Sequence, residues 1–172
     1  DYAGNEVYAL DLNGLTVKRL TDPSPPTPGG SPAASDGKPN SRHTYNGLAY
    51  IEHLDKMYVF SGSLYSSGAA QNDTWFLDLR TLQWTRISAT GPNANYNVHA
   101  FYDPQTKKVF LGDRSSLWRF DPDQLTYTRI ASYFHELPTS SVLDPKRRLW
   151  LTFGGFYNSP NSPFVKAINV DT

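Results

Sequence analysis

Trp75-Phe76-Leu77-Asp78-Leu79-Arg80-Thr81-Leu82-Gln83-Trp84-Thr85-Arg86-Ile87 returns, without a gap, as Trp118-Arg119-Phe120-Asp121-Pro122-Asp123-Gln124-Leu125-Thr126-Tyr127-Thr128-Arg129-Ile130. An earlier copy is Tyr8-Ala9-Leu10-Asp11-Leu12-Asn13-Gly14-Leu15-Thr16-Val17-Lys18-Arg19-Leu20, and a shortened one is Ile168-Asn169-Val170-Asp171-Thr172. Each copy sets an aromatic or β-branched residue three before an Asp, and the three long copies set a Leu four after it and a large apolar residue six after it. This pattern predicts a β-hairpin. The Asp accepts backbone hydrogen bonds at the turn, Asn13-Gly14 or Pro122-Asp123 supplies the turn conformation, and the flanking strands alternate their side chains with period two. Asp11, Asp78 and Asp121 are therefore read as turn caps and not as a catalytic carboxylate set. Arg19, Arg86 and Arg129 also recur in register, which fits a strand face or a contact between neighbouring units.

A second pair of strands precedes the copies at Asp78, Asp121 and Asp171: 43–50 with 56–61, 97–102 with 107–111, and 140–143 with 148–153. Asp103-Pro104-Gln105-Thr106 and Asp144-Pro145-Lys146-Arg147 supply tight turns within two of these pairs. The Asp positions 11, 78, 121 and 171 are spaced by 67, 43 and 50 residues, and a propeller blade repeats at roughly 40–50. The expected fold is all-β, a β-propeller of four-stranded antiparallel blades with about three to four blades present, a fragment of a larger ring. The organisation reads as the end of blade one (1–20), a Pro-rich loop (21–42), blade two (43–88), blade three (96–131) and a partial blade four (139–172). Incomplete terminal blades would expose unpaired backbone, so the remaining blades are expected on another chain or in a missing part of a parent protein.

The second strand of the last unit runs into Gly154-Gly155, with weaker forms at Ser61-Gly62 and Leu111-Gly112, and Trp75 with Trp84, and Trp118 with Tyr127, follow on the next two strands of their units. In these features the chain resembles kelch-repeat propellers across most of its length. The resemblance implies a binding module for protein or glycan partners, since rings of this kind serve as protein binders, sugar binders and a few enzymes. A copper radical oxidase of the galactose oxidase type needs a tyrosine crosslinked to cysteine, and the sequence has no cysteine. His43, His53, His99 and His135 show no metal-ligand spacing, so neither a metal nor another cofactor is expected, and no catalytic residues are assigned. The alternative is part of a sugar-processing enzyme, or a lectin-like sugar binder, whose site is completed by further blades.

Sixteen basic and sixteen acidic residues cancel and neither sign forms a block, which argues against nucleic acid or an anionic membrane surface as partner. No apolar run approaches the roughly 18 residues of a membrane-spanning helix. Abundant Tyr, Asn, Ser, Thr and Pro with little Lys lean toward an extracellular or cell-envelope setting. Within an up-and-down blade, successive loops emerge on opposite faces. The long loops (21–42, 61–71, 88–95, 131–139 and 154–163) all share one face, which nominates it as the binding surface. The candidate ligand-binding residues there are Arg42, His43, Tyr65, Tyr96, Arg114, His135, Tyr157 and Asn158, a mixture of aromatic planes and hydrogen-bonding groups suited to a sugar or a protein partner.

Overall fold

The computed structural model describes residues 4–25, 27, 30–65, 67–96, 98–132, 140–154 and 165–171. Among these residues all regular structure is β except one turn of 3-10 helix, Glu52–Leu54. Strands β1 (Tyr8–Asp11) and β2 (Thr16–Arg19) form a hairpin. β3 (Arg42–His43) pairs ahead with β6 (Ser63–Leu64) as a two-residue ladder. Between and after them, β4 (Leu48–Ile51), β5 (Lys56–Phe60), β7 (Thr74–Asp78) and β8 (Trp84–Ile87) make a four-stranded antiparallel meander in that order. β9 (His99–Asp103), β10 (Lys108–Gly112), β11 (Ser116–Asp121) and β12 (Thr126–Ser132) make a second. β13 (Ser140–Asp144), β14 (Leu149–Phe153) and β15 (Val165–Asn169) make a three-stranded sheet. The meanders are blades two and three, the hairpin is the outer half of blade one, and the last sheet is blade four. None of the sheets closes on itself.

Register makes the equivalences explicit. Val59 faces Trp75 in blade two and Leu111 faces Trp118 in blade three, and on the next strands Trp75 pairs with Arg86 and Trp118 with Arg129. The repeated arginines thus lie beside the repeated tryptophans, and in the first hairpin Arg19 lies beside Tyr8. The repeated aspartates cap turns, as their spacing implies. Asp11 Oδ1 accepts the Asn13 N–H at 2.8 Å, Asp78 Oδ1 those of Arg80 and Thr81 at 3.0 Å, and Asp121 Oδ1 those of Asp123 and Gln124 at 3.0 and 3.1 Å; in the Asp-Pro turn of blade four Asp144 Oδ1 likewise accepts those of Lys146 and Arg147 at 3.0 Å. The Leu four places after the Asp has a different role from the strand position its apolar character implies. Leu15, Leu82 and Leu125 take left-handed φ values of 50°, 58° and 56° and close the turn, a conformation that a branched side chain adopts only under constraint.

Side-chain alternation then buries blade three on both faces and blade two on the face toward it. Ala49, Tyr58, Phe60 and Phe76 of blade two meet Ala100, Val109, Leu111 and Phe120 of blade three in one core. Phe110 and Leu117, on the other face of blade three, meet Leu143 and Trp150 of blade four in a second, where Phe101 and Trp150 pack edge to face at 5.2 Å. The first strands of adjacent blades run side by side: Asn46 and His99 form a parallel bridge, and Ala100 N–H donates to the Asn46 carbonyl at 2.8 Å. Inside the first core, Tyr127 of β12 reaches blade two, its hydroxyl lying 2.7 Å from that of Tyr58 and 2.8 Å from Thr74 Oγ1.

The same equivalences leave an uncovered face at each end. Leu48 and Tyr50 of β4 are 39% and 51% exposed, where the matching Ala100 and Tyr102 of β9 pack against blade two. Residues 4–8 and 39–44 lie over this side, leaving a cleft of ≈350 Å³ lined also by Leu48, Met57, Val59 and Trp84. At the other end Val142, Phe153 and Val165 are exposed, although Val142 matches Phe101, which is packed in the second core.

One expected strand is broken. Residues 43–50 do not run straight through: Tyr45 turns left-handed with φ 51°, and Gly47 lies so close to β5 that a Cβ there would stand 2.4 Å from the Phe60 carbonyl oxygen. The chain therefore pairs first with β6, inside the loop expected at 61–71, and only then joins the blade. Asn5 lies ahead of β1. Its side chain ties the Pro-rich loop to the chain, donating to Ser24 Oγ and the Pro39 carbonyl at 2.8 Å each and accepting Ser24 N–H at 2.7 Å.

Candidate binding site on the long-loop face

Two buried carboxylates organise the loop face, and both sit just before a repeated tryptophan. Asp73 accepts the Trp75 indole N–H and pairs with Arg42 Nη1 at 2.7 Å, with both side chains buried. Arg42 further donates to the carbonyls of Asn40, Ser61 and Pro32 at 3.0, 3.3 and 2.7 Å. Its guanidinium is thus consumed inside the protein, and the residue pins the Pro-rich loop to blade two. A lone buried charge would be expensive; paired and fully hydrogen-bonded, it fixes geometry.

In blade three Asp113 does the corresponding work for the β10–β11 loop. One carboxylate oxygen accepts the N–H groups of Ser115 and Ser116 at 3.0 and 2.8 Å and the Ser115 hydroxyl at 2.9 Å. The other accepts the Trp118 indole N–H at 2.9 Å and the Asn93 N–H at 3.4 Å. Asn95 Nδ2 donates to the Asp113 carbonyl at 3.2 Å, while the Ser61 hydroxyl donates to the Asn95 carbonyl at 2.9 Å. Three loops, 61–65, 88–96 and 112–116, are thereby fastened together.

Arg114 stands at the tip of this assembly. It has φ 76°, a strained setting for a residue with a Cβ. Its Nε is shielded from solvent and has no hydrogen-bond partner. Tyr96, 44% exposed, follows Asn95 directly, and its N–H is held by Asn95 Oδ1 at 2.8 Å. Tyr65 is 38% exposed and is anchored through its N–H to the Ser41 carbonyl at 2.9 Å. His43 is exposed and lies 5.8 Å from the Tyr45 ring. The structure therefore brings Tyr96 and Arg114 onto one fastened cluster and places Tyr65 and His43 by the β3–β6 ladder. His135, Tyr157 and Asn158 lie outside the described residues, as does Gly155 of the glycine doublet. Asp73 and Asp113 were missed in the sequence because the contacts that join loops, to Arg42 and to the Asn93 N–H, lie 31 and 20 residues away; the signal available was an acid a few residues before a repeated Trp.

The opposite face is built from tight turns whose arginines pair with carboxylates. Arg148 bridges blades, contacting Asp103 at 2.7 Å and holding Asp171 in a two-pronged pair at 2.8 Å. That contact keeps the Asp171 carboxyl below its ordinary value. His53 links blades two and three through the Tyr102 hydroxyl at 2.9 Å and Asp123 at 3.3 Å. Among the described residues no group of three or more His, Asp or Glu side chains is placed to hold a metal ion, and no helix is long and apolar enough to cross a membrane. Compared with protein-family models the chain matches none, and no curated protein matches it either.

Proposed function

We propose that the chain is a non-catalytic binding module that recognises a protein or glycan partner with its long-loop face, centred on the loops fastened by Asp113. Arg114 carries this reading. A left-handed non-glycine residue costs roughly 1–3 kcal/mol, and here that cost is met by five donors converging on the Asp113 side chain. The result holds in place a guanidinium whose Nε has no hydrogen-bond partner among the described residues. Arginine in such a setting is suited to bidentate recognition of an incoming oxygen pair, and Tyr96, tied to the same cluster through Asn95, adds a flat contact of low conformational cost. The kelch resemblance belongs to the same proposal, as do further blades: the uncovered faces at Leu48 and Tyr50 and at Val142, Phe153 and Val165 match faces that blades two and three bury against each other and against blade four.

Glycan-array binding and partner pull-down, run on Arg114→Ala and Tyr65→Ala beside the turn-face controls Lys107→Ala and Lys146→Ala, test the proposal. Loss with the first pair and retention with the second is expected. Loss with the lysine variants while the loop-face variants bind normally would move the site to the other side.

A further inference from the structure

Eight of the nine arginines, all but Arg119 in the middle of β11, divide between the two faces. All three in the turns, Arg80, Arg147 and Arg148, sit on carboxylates, because the repeated turn-capping aspartates collect there. On the loop face Arg19 pairs with Asp22, and Arg42 with Asp73. Arg86, Arg114 and Arg129 have no carboxylate within ion-pair distance among the described residues; Arg129 donates only to the hydroxyls of Ser116 and Ser132, at 2.7 and 3.1 Å. The turn-face arginines are thus paired, while the loop face presents arginines that no carboxylate of the described residues neutralises.

Arg86 opens onto a cleft of ≈750 Å³ that also exposes Asn72, Ser88, Thr90, Gly91 and Asn93. Its guanidinium carbon lies 5.9 Å from the centre of the Trp75 ring, a contact that limits the rotamers it can visit. The wall is fixed from behind. Gly91 lies flat on the Tyr127 ring, where a Cβ would come within 2.4 Å, and the Asn93 N–H is held by Asp113 at 3.4 Å. Two side-chain amides and two hydroxyls around one fixed cation offer donors and acceptors to a polyhydroxylated ring bearing an acid. β8 is the outer strand of its sheet, but the lining offers little apolar surface for the alternate side chains of a peptide added along it.

We propose that this cleft is a subsite for a carboxylate-bearing saccharide, with Arg86 taking the carboxylate and Asn72, Ser88 and Thr90 taking ring hydroxyls. The proposal rests on the loop face being the recognition surface but uses a different arginine from the Arg114 tip, so the two can fail separately. Calorimetric titration of the whole chain with trigalacturonate, galactotriose and hexaglutamate tests it, with the Arg86 side-chain N–H resonance followed by NMR. Trigalacturonate is expected to bind, to shift that resonance and to weaken with added salt; galactotriose and the Arg86→Gln variant should each lose about tenfold or more in affinity. Arg80→Gln on the turn face should change nothing. Equal binding of galactotriose, a silent Arg86→Gln, preference for hexaglutamate through Arg86, or no binding of trigalacturonate would each overturn the subsite. If glycan recognition depends on Arg114 while Arg86→Gln is silent, the subsite falls and the loop-face reading stands.

Discussion

Replacing Tyr127 by Phe removes one oxygen atom from the interface between blades two and three and leaves the ring in place. That oxygen lies 2.7 Å from the Tyr58 hydroxyl and 2.8 Å from Thr74 Oγ1. The ring keeps its contacts with Phe120 and Phe60, at 4.6 and 6.1 Å between centroids, so packing is preserved and the loss is polar. Two buried hydroxyls then lack their partner, and a buried unsatisfied group costs about 1–3 kcal/mol, which puts the expected destabilisation at about 3 kcal/mol. Urea unfolding of the chain, followed by tryptophan fluorescence and circular dichroism, gives the number directly. Thr74→Val in the Tyr127→Phe background removes one of the orphans, so the double variant should recover about 1 kcal/mol relative to additivity. A Tyr127→Phe loss below about 0.5 kcal/mol, or strict additivity with Thr74→Val, would refute the claim that these hydroxyls lock the two blades together.

Arg148→Ala leaves the fully buried Asp103 carboxylate without its cation, and unfolding titrations should show a loss of about 3–5 kcal/mol; Arg147→Ala, whose pair is exposed, should cost under about 1 kcal/mol. Gly91→Val drives a side chain into the Tyr127 ring and should cost about 1–3 kcal/mol by the same assay. In acid, stability should decline as pH falls. Hydrogen bonds from the Thr81 backbone to Asp78, from Arg147 to Asp144 and from Arg148 to Asp171 hold these carboxyls below 3.8. The unfolded chain then binds more protons, so their contribution is present above the ordinary value and lost below it; urea midpoints across that range would show it. In alkali the sign reverses. Burial raises the pKa of Tyr58 and Tyr127 above 10.0, so their contribution is complete below that value and lost as pH rises past it, and ultraviolet titration should show these two phenols ionising only with unfolding.

The hairpins were legible in the sequence because the Asp caps turns through its near neighbours, so spacing alone carries the information. The break after His43 was harder to see: Asn46-Gly47 is a turn signal, but it sits within a run that keeps strand-like alternation on both sides. The left-handed leucines at 15, 82 and 125 could not be read from residue type, since Leu carries no preference for that conformation and the closing of the hairpin imposes it. At the candidate site, the choice of face followed from loop length and strand alternation. The fate of Arg42 did not, because its carboxylate partner lies 31 residues away and only folding brings them together. Arg86 was visible as a repeated position but not as a site residue, because the cleft beside it depends on where the 88–95 crossing lies.

Amide hydrogen exchange, measured on the chain with and without a bound partner selected by glycan array or pull-down, tests the central claim most directly. The account predicts protection gained across 61–65, 88–96 and 112–116, with the turns at 103–107, 121–125 and 144–148 unchanged; protection confined to those turns, with the loops exchanging as before, would contradict it.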